Sequence, residues 1–166
     1  MDAVVAALGL KNAARSTWAD GIQSAYSDKV FVTQPLGEWI LAAGCCLFYT
    51  GDAPADSVLP VLRKLSEQFG EAQYFLTHRV VEAHVWARAC SGRLMRGFGY
   101  VGESGEVTWN QGTPTEVELE LGEAILQFPR PNEDHVMRVA AAWSVNPCEL
   151  ESQFTEPGLG QVGVLA

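Results

Sequence analysis

Two β-rich runs, Val81 to Cys90 and Arg93 to Val101, flank the dipeptide Ser91-Gly92. Two-residue hairpin turns need positive φ, and glycine supplies it at no steric cost, so this stretch is constrained to fold back on itself. With that turn setting the register, Trp86 faces Gly97 and His84 faces Gly99, while Val85 faces Phe98 and Ala83 faces Tyr100. A large ring opposite glycine is a good packing pair, because the missing side chain leaves it room. A second turn at Ser104-Gly105 pairs Tyr100 with Trp109 and extends the hairpin into a three-stranded antiparallel meander over about residues 81–110.

Helical spacing organises most of the rest. Residues 3–26 read as one or two helical pieces, the second capped around Ser16-Thr17. Val58, Leu59, Leu62, Leu65 and Phe69 recur at helical spacing and Gly70 follows as a left-handed stop, which predicts a helix from Asp56 to Phe69. Thr113-Pro114-Thr115-Glu116 predicts a helix start, with Thr113 as cap and Glu116 closing a capping box. Val136, Val139, Ala140 and Trp143 form another stripe, and Asn146-Pro147-Cys148-Glu149 opens a short last helix. Lys29–Thr33, Glu38–Tyr49 (as one central strand or two short ones around Gly44) and Ala72–Thr77 are the further strand candidates. The expected fold is α+β: an antiparallel sheet of about five or six strands, including the meander, with helices packed on one side. Residues 1–150 form a single domain with an N-terminal helical segment, and residues 151–166 a loose Gly-rich tail.

Of the 166 residues, 48% are hydrophobic and 19% charged, enough apolar surface for a core and too much for global disorder. The net charge is −9, which argues against a direct nucleic-acid binder, since such proteins need a basic footprint to displace phosphate counterions. Residues 1–96 carry nine acids and nine bases; residues 97–166 carry eleven acids and only Arg130 and Arg138, so the whole excess lies in the rear. The N-terminus lacks the basic region of a secretory signal, and the longest apolar run, Trp39 to Tyr49, is shorter than the roughly 20 residues that cross a bilayer. Cytoplasm is the expected compartment, with no membrane partner. Cys45, Cys46, Cys90 and Cys148 show no C-x-x-C spacing and are expected to be reduced, mostly buried small residues.

No catalytic signature stands out. Gly97-x-Gly99-x-x-Gly102 lies inside a predicted strand, and Gly158-x-Gly160-x-x-Gly163 lies at the chain's end, so neither has the strand-then-helix setting of a dinucleotide site. His78, His84 and His135 are too scattered for a metal site of three or four ligands, and no G-x-S-x-G elbow occurs. No catalytic residue, metal or cofactor is assigned.

The acidic rear is the remaining candidate. Gly97 to Pro129 contains six Glu and no Lys, Arg or His, interleaved with Phe98, Tyr100 and Trp109. One reading is a surface kept solvated by charge. The other is a recognition face for a basic partner, formed by Tyr100, Glu103, Glu106, Trp109, Glu116 and Glu120, in which carboxylates steer association and rings anchor it.

The stretches Leu65 to Arg79, Trp86-Ala87-Arg88-Ala89, Gly99 to Glu106 and Val139 to Pro147 resemble a family of small bacterial proteins found beside polymorphic toxins and type VI secretion effectors. The resemblance spans roughly residues 28–150. It implies an immunity protein, which binds a cognate toxin or effector and blocks it; a nuclease is one such toxin. No catalytic residues come with it. Two rival readings stand beside it: a small hydrolase or transferase with a concave pocket and a perturbed His84 or Glu82, and a self-associating scaffold protein with a large apolar patch.

Overall fold

The computed structural model describes residues 1–47, 54–125, 130–150 and 158–165. The chain divides into two compact units, one made of Met1–Phe48 with Glu151–Ala166 and the other of Tyr49–Leu150. The fold is α+β, as expected, but the strands are shared between two four-stranded antiparallel sheets rather than gathered in one of five or six.

The first unit contains α1 (Asp2–Ala7), β1 (Lys11–Ser16), α2 (Trp18–Ala25), β2 (Val30–Val32), β3 (Ala42–Ala43) and β8 (Gly160–Val164). Its sheet order is β1-β8-β2-β3. The Gly-rich end is therefore no loose tail: β8 sits between β1 and β2 and pairs with both. Its glycines serve close packing, since a Cβ at Gly160 would overlap the Phe31 ring and the Val32 carbonyl oxygen. Alternation along β2 feeds two faces. Val30 and Val32 join Val5 and Leu10 in one buried cluster, while Phe31 turns the other way, edge-on to Trp18 at 5.5 Å. Thr17 caps α2 by accepting from the Asp20 amide, as the sequence predicts. The expected strand from Glu38 shrinks to Ala42–Ala43, because Leu36 and Trp39 close a tight reversal with Gly37 at positive φ; residues 48–53 lie outside the described part.

The second unit contains α3 (Pro54–Phe69), β4 (Glu71–His78), β5 (Ala83–Cys90), β6 (Arg93–Val101), β7 (Glu106–Gly112), α4 (Glu116–Ile125), α5 (Glu133–Trp143) and a 3-10 turn at Pro147–Glu149. The meander is present and β4 extends it to the order β4-β5-β6-β7. Ser91 and Gly92 both have positive φ, as a two-residue hairpin requires.

The expected register holds for Cys90–Arg93 and Ala89–Leu94, then slips by one at Met95, so that Arg88 opposes Arg96 and Trp86 opposes Phe98. One extra residue in a strand turns over every later side chain. Arg96, Phe98 and Tyr100 thereby join the face of Trp86, and Gly97 and Gly99 turn to the other. The second turn takes four residues, Gly102 to Gly105, rather than Ser104-Gly105 alone, so Tyr100 pairs with Val107 instead of Trp109, and a slip at Thr108 then sets Trp109 opposite Gly99. The indole lies over Gly97, where any Cβ would overlap it. The ring-over-glycine pairing is real, but with Trp109 as the ring.

The two faces differ in side-chain size and take different helices. Trp86, Phe98 and Tyr100 pack with Leu121 of α4 and with Val136 and Val139 of α5. The face of small residues, including Ala87, Ala89, Gly97 and Gly99, takes α3: Pro54 lies against Gly99, and the Ser66 hydroxyl accepts from the Gly92 amide at 3.0 Å. Helices thus cover both sides of this sheet, not one, because the bulge gives each face its own packing surface.

Replacing Gly160 with Val should destabilise the protein by about 1–3 kcal/mol, the usual cost of forcing extra atoms into a filled site. Denaturant unfolding measures this, and amide exchange should quicken across β1 and β2; a loose tail would tolerate the change.

Candidate functional site

Helix α4 begins two residues later than its sequence predicts. Two overlapping box patterns exist, Thr113-x-x-Glu116 and Thr115-x-x-Glu118, and the fold forms one half of the second, the acid reaching back to the cap amide. The Glu118 carboxylate accepts from the Thr115 amide at 2.9 Å and the Thr115 hydroxyl at 2.8 Å. Its other oxygen accepts from the Trp86 indole N–H and from Arg96 Nε, each at 2.8 Å. Arg96 and Glu118 side chains are 4% and 3% exposed. The guanidinium also donates to Asn110 Oδ1, to the Gln111 carbonyl and to the Gly97 carbonyl, and lies 5.6 Å from the Phe98 ring centre. Both Glu118 oxygens are occupied and sealed from water, so this pair is a structural tie rather than a proton donor for a substrate.

Facing Glu118 inward turns Glu116 and Glu120 outward, since positions two apart lie on opposite sides of a helix. Glu116 and Glu120 are exposed, as are Glu103 and Glu106 around the β6–β7 turn. No ion pair ties any of the four to a described residue. The two rings assigned to the same face are elsewhere: Tyr100 is 6% exposed and Trp109 3%, on opposite faces of the sheet. This corrects the expected anchors, and the cause is packing: Tyr100 fills the core beside Trp86, and Trp109 fills the space over Gly97. The exposed apolar groups among these acids are Leu119, 61% exposed, and Val107, 54% exposed. Sequence reasoning missed both; the alternation Glu118-Leu119-Glu120 was the available signal, because burying Glu118 leaves Leu119 outside.

Two of the three histidines are buried. His84 is buried with its Nδ1 3.2 Å from the Thr77 hydroxyl, and burial holds its pKa below the ordinary imidazole value. His135 is buried in the first turn of α5. An open depression of about 260 Å³ lies in the first unit, lined by residues including Asn12, Ser16, Ser24 and Lys29, and it contains no histidine or carboxylate. Among the described residues, no three His, Cys, Asp or Glu side chains are grouped to hold a metal ion, and no helix is long and apolar enough to cross a membrane. The four cysteines are free, but Cys45 and Cys148 are exposed and Cys46 and Cys90 half-buried, against the expectation that most are buried. Of the two glycine motifs, Gly97 and Gly99 lie on β6 and Gly160 and Gly163 on β8, where Gly97 makes room for the Trp109 ring and Gly160 for the Phe31 ring and the Val32 carbonyl.

Comparison with protein-family models, curated proteins and solved structures finds no match.

Glu118→Ala should cost about 3–5 kcal/mol of stability, because it strands a buried guanidinium. The double variant Arg96→Met with Glu118→Leu should lose less than Glu118→Ala alone. Urea unfolding of the variants tests this; a double variant as damaged as the sum of the single changes would contradict it.

Proposed function

We propose that this chain is an immunity-type binding protein that neutralises a cognate bacterial toxin or effector by covering a basic surface of it. The contact surface is formed by Glu103 and Glu106 at the β6–β7 turn and by Glu116 and Glu120 on the outer side of α4, with Val107 and Leu119 as its apolar contacts.

The observation that carries this reading is the pairing of the charges. From Gly97 to Ile125 the chain has no Lys, Arg or His, and the one acid buried there among the described residues, Glu118, is fully matched by Arg96. The four outward acids have no such match among the described residues. Uncompensated carboxylates of one sign raise the rate of encounter with a cationic partner and repel anionic ones. Nucleic acid is such an anion, which makes direct binding to it unfavourable. A toxin that acts on nucleic acid presents the complementary cationic groove. The sequence resemblance to proteins found beside polymorphic toxins and type VI secretion effectors supports the same role, and a cytosolic target places the encounter in the cytoplasm.

Co-expression with the protein encoded beside it, followed by pull-down and growth rescue, tests the role. Within that complex, reversing Glu103 and Glu106 to Lys should weaken binding by about tenfold or more and flatten its dependence on salt. The same affinity and salt slope in the double variant would remove this surface from the reading.

A further inference from the structure

Helix α5 opens with Asn132-Glu133-Asp134-His135, and its first turn is closed by a reciprocal pair of bonds. Asn132 Oδ1 accepts from the His135 amide at 3.2 Å, and His135 Nδ1 accepts from the Asn132 amide at 3.1 Å. The acceptor at this third helical position is ordinarily Glu or Gln. Glu stays an acceptor at any pH well above its pKa, and Gln at every pH. Imidazole accepts only when neutral, and accepting at Nδ1 fixes its proton on Nε2. A second proton would turn Nδ1 into a donor aimed at another donor. It would also place a full positive charge at the positive end of the helix. His135 is 7% exposed, so that charge would be poorly hydrated.

We propose that the start of α5 is a proton-operated cap, closed by neutral His135 and opened when that imidazole is protonated. The charged groups around it come from several elements. On α5 itself, Asp134 favours the imidazolium and Arg138 opposes it. Glu133 is held at 2.7 Å by Arg79 of the β4–β5 turn, so its charge is already engaged. From the sheet side comes the buried His84 of β5, bonded to Thr77 of β4 and itself influenced by Glu82 just before β5. Charge on His135 disfavours charge on His84, so the two imidazoles do not take up protons together. Burial is the largest influence on His135 and holds its pKa below the ordinary value.

The sign of the pH effect follows. A histidine whose folded pKa is depressed takes up protons more readily unfolded, so stability is complete above about pH 6.5 and falls as pH drops towards the folded pKa. The place where it falls is specific. Val136 and Val139, one and four positions after His135, pack on the Trp86 core, so opening the cap loosens the helix where it grips the sheet.

The test uses the full chain labelled with ¹⁵N, titrated from pH 8 to pH 5, with imidazole shifts and Asn132 amide exchange followed together. At neutral pH His135 should show an unprotonated Nδ1 and a protonated Nε2. Its transition should fall below about 6.5, and Asn132 protection, corrected for intrinsic exchange, should drop about tenfold or more across it. His135→Gln keeps an acceptor that does not titrate, so protection of Asn132 should persist to pH 5. His84→Gln should leave the loss of protection in place. The proposal is overturned if His135 titrates at or above 6.5 with protection intact, if His135→Gln loses protection as the native chain does, or if His84→Gln abolishes the transition. Should His135→Gln fail to fold, the titration of the native chain decides alone.

Discussion

A carboxylate and a guanidinium shut away from water hold the second unit in its arrangement. Burying either charge alone is prohibitive, and burying both is tolerable only when the remaining donors and acceptors are filled. Glu118 meets that demand with four hydrogen bonds, from Arg96, Trp86 and both the amide and hydroxyl of Thr115. Each bond constrains something else. Trp86 and Arg96 fix the height of α4 over the sheet, and Thr115 fixes where the helix can begin. Trp143 of α5 donates to the same Thr115 hydroxyl at 3.2 Å, so the second helix is tied to the first at the point where the first is tied to the sheet. Which acids of α4 look outward is a consequence of this one buried pair.

The pair depends in turn on an irregularity in the sheet. Without the slip at Met95, Arg96 would point to the face of α3, away from Glu118. The slip turns Arg96, Phe98 and Tyr100 together towards Trp86, whose ring stacks on Phe98 at 4.5 Å. It leaves Gly97 and Gly99 on the opposite side, where Trp109 and α3 occupy the space they vacate. Strand register, helix start and the fate of two tryptophans are thus one linked choice. A bulge is the least disruptive way to make it, since it costs local pairing and preserves the ladder on either side.

Features decided by neighbouring residues were legible in the sequence. Ser91-Gly92 specifies its turn, Gly70 takes the left-handed conformation that stops α3, and Asn146 caps the turn after it, all through contacts a few residues long. Features decided at a distance were not. Thr113 and Thr115 are equal candidates for a cap by local pattern, and only the need of Arg96 for a buried acid selects the second. Lys11–Ser16 carries no apolar alternation, so β1 was invisible; it is a strand because β8 pairs with it from the far end of the chain. The same remote pairing makes glycines that look like a flexible tail into close-packed strand positions. Tyr100 and Trp109 were read as surface anchors because the number of rings in a segment says nothing of the two slips that send them inward. The capping role of His135 has no local signature, because an imidazole is an unusual acceptor for a helix cap.

Committing the rings to the core changes how the proposed interface must work. Interfaces anchored by aromatic side chains owe their long residence times to those anchors, whereas charges at a rim act on the rate of encounter. Here the outward groups are four carboxylates with two aliphatic side chains, Val107 and Leu119, between them. Such a surface attracts strongly and grips weakly by its own means. A lasting complex then requires the partner to bring the large side chains, seated against Val107 and Leu119, while its cations meet the acids around them. The rigidity of the support makes this workable: because α4 is pinned through Glu118, the backbone positions of its outer glutamates are fixed, and the order lost when they are engaged is confined to their side chains.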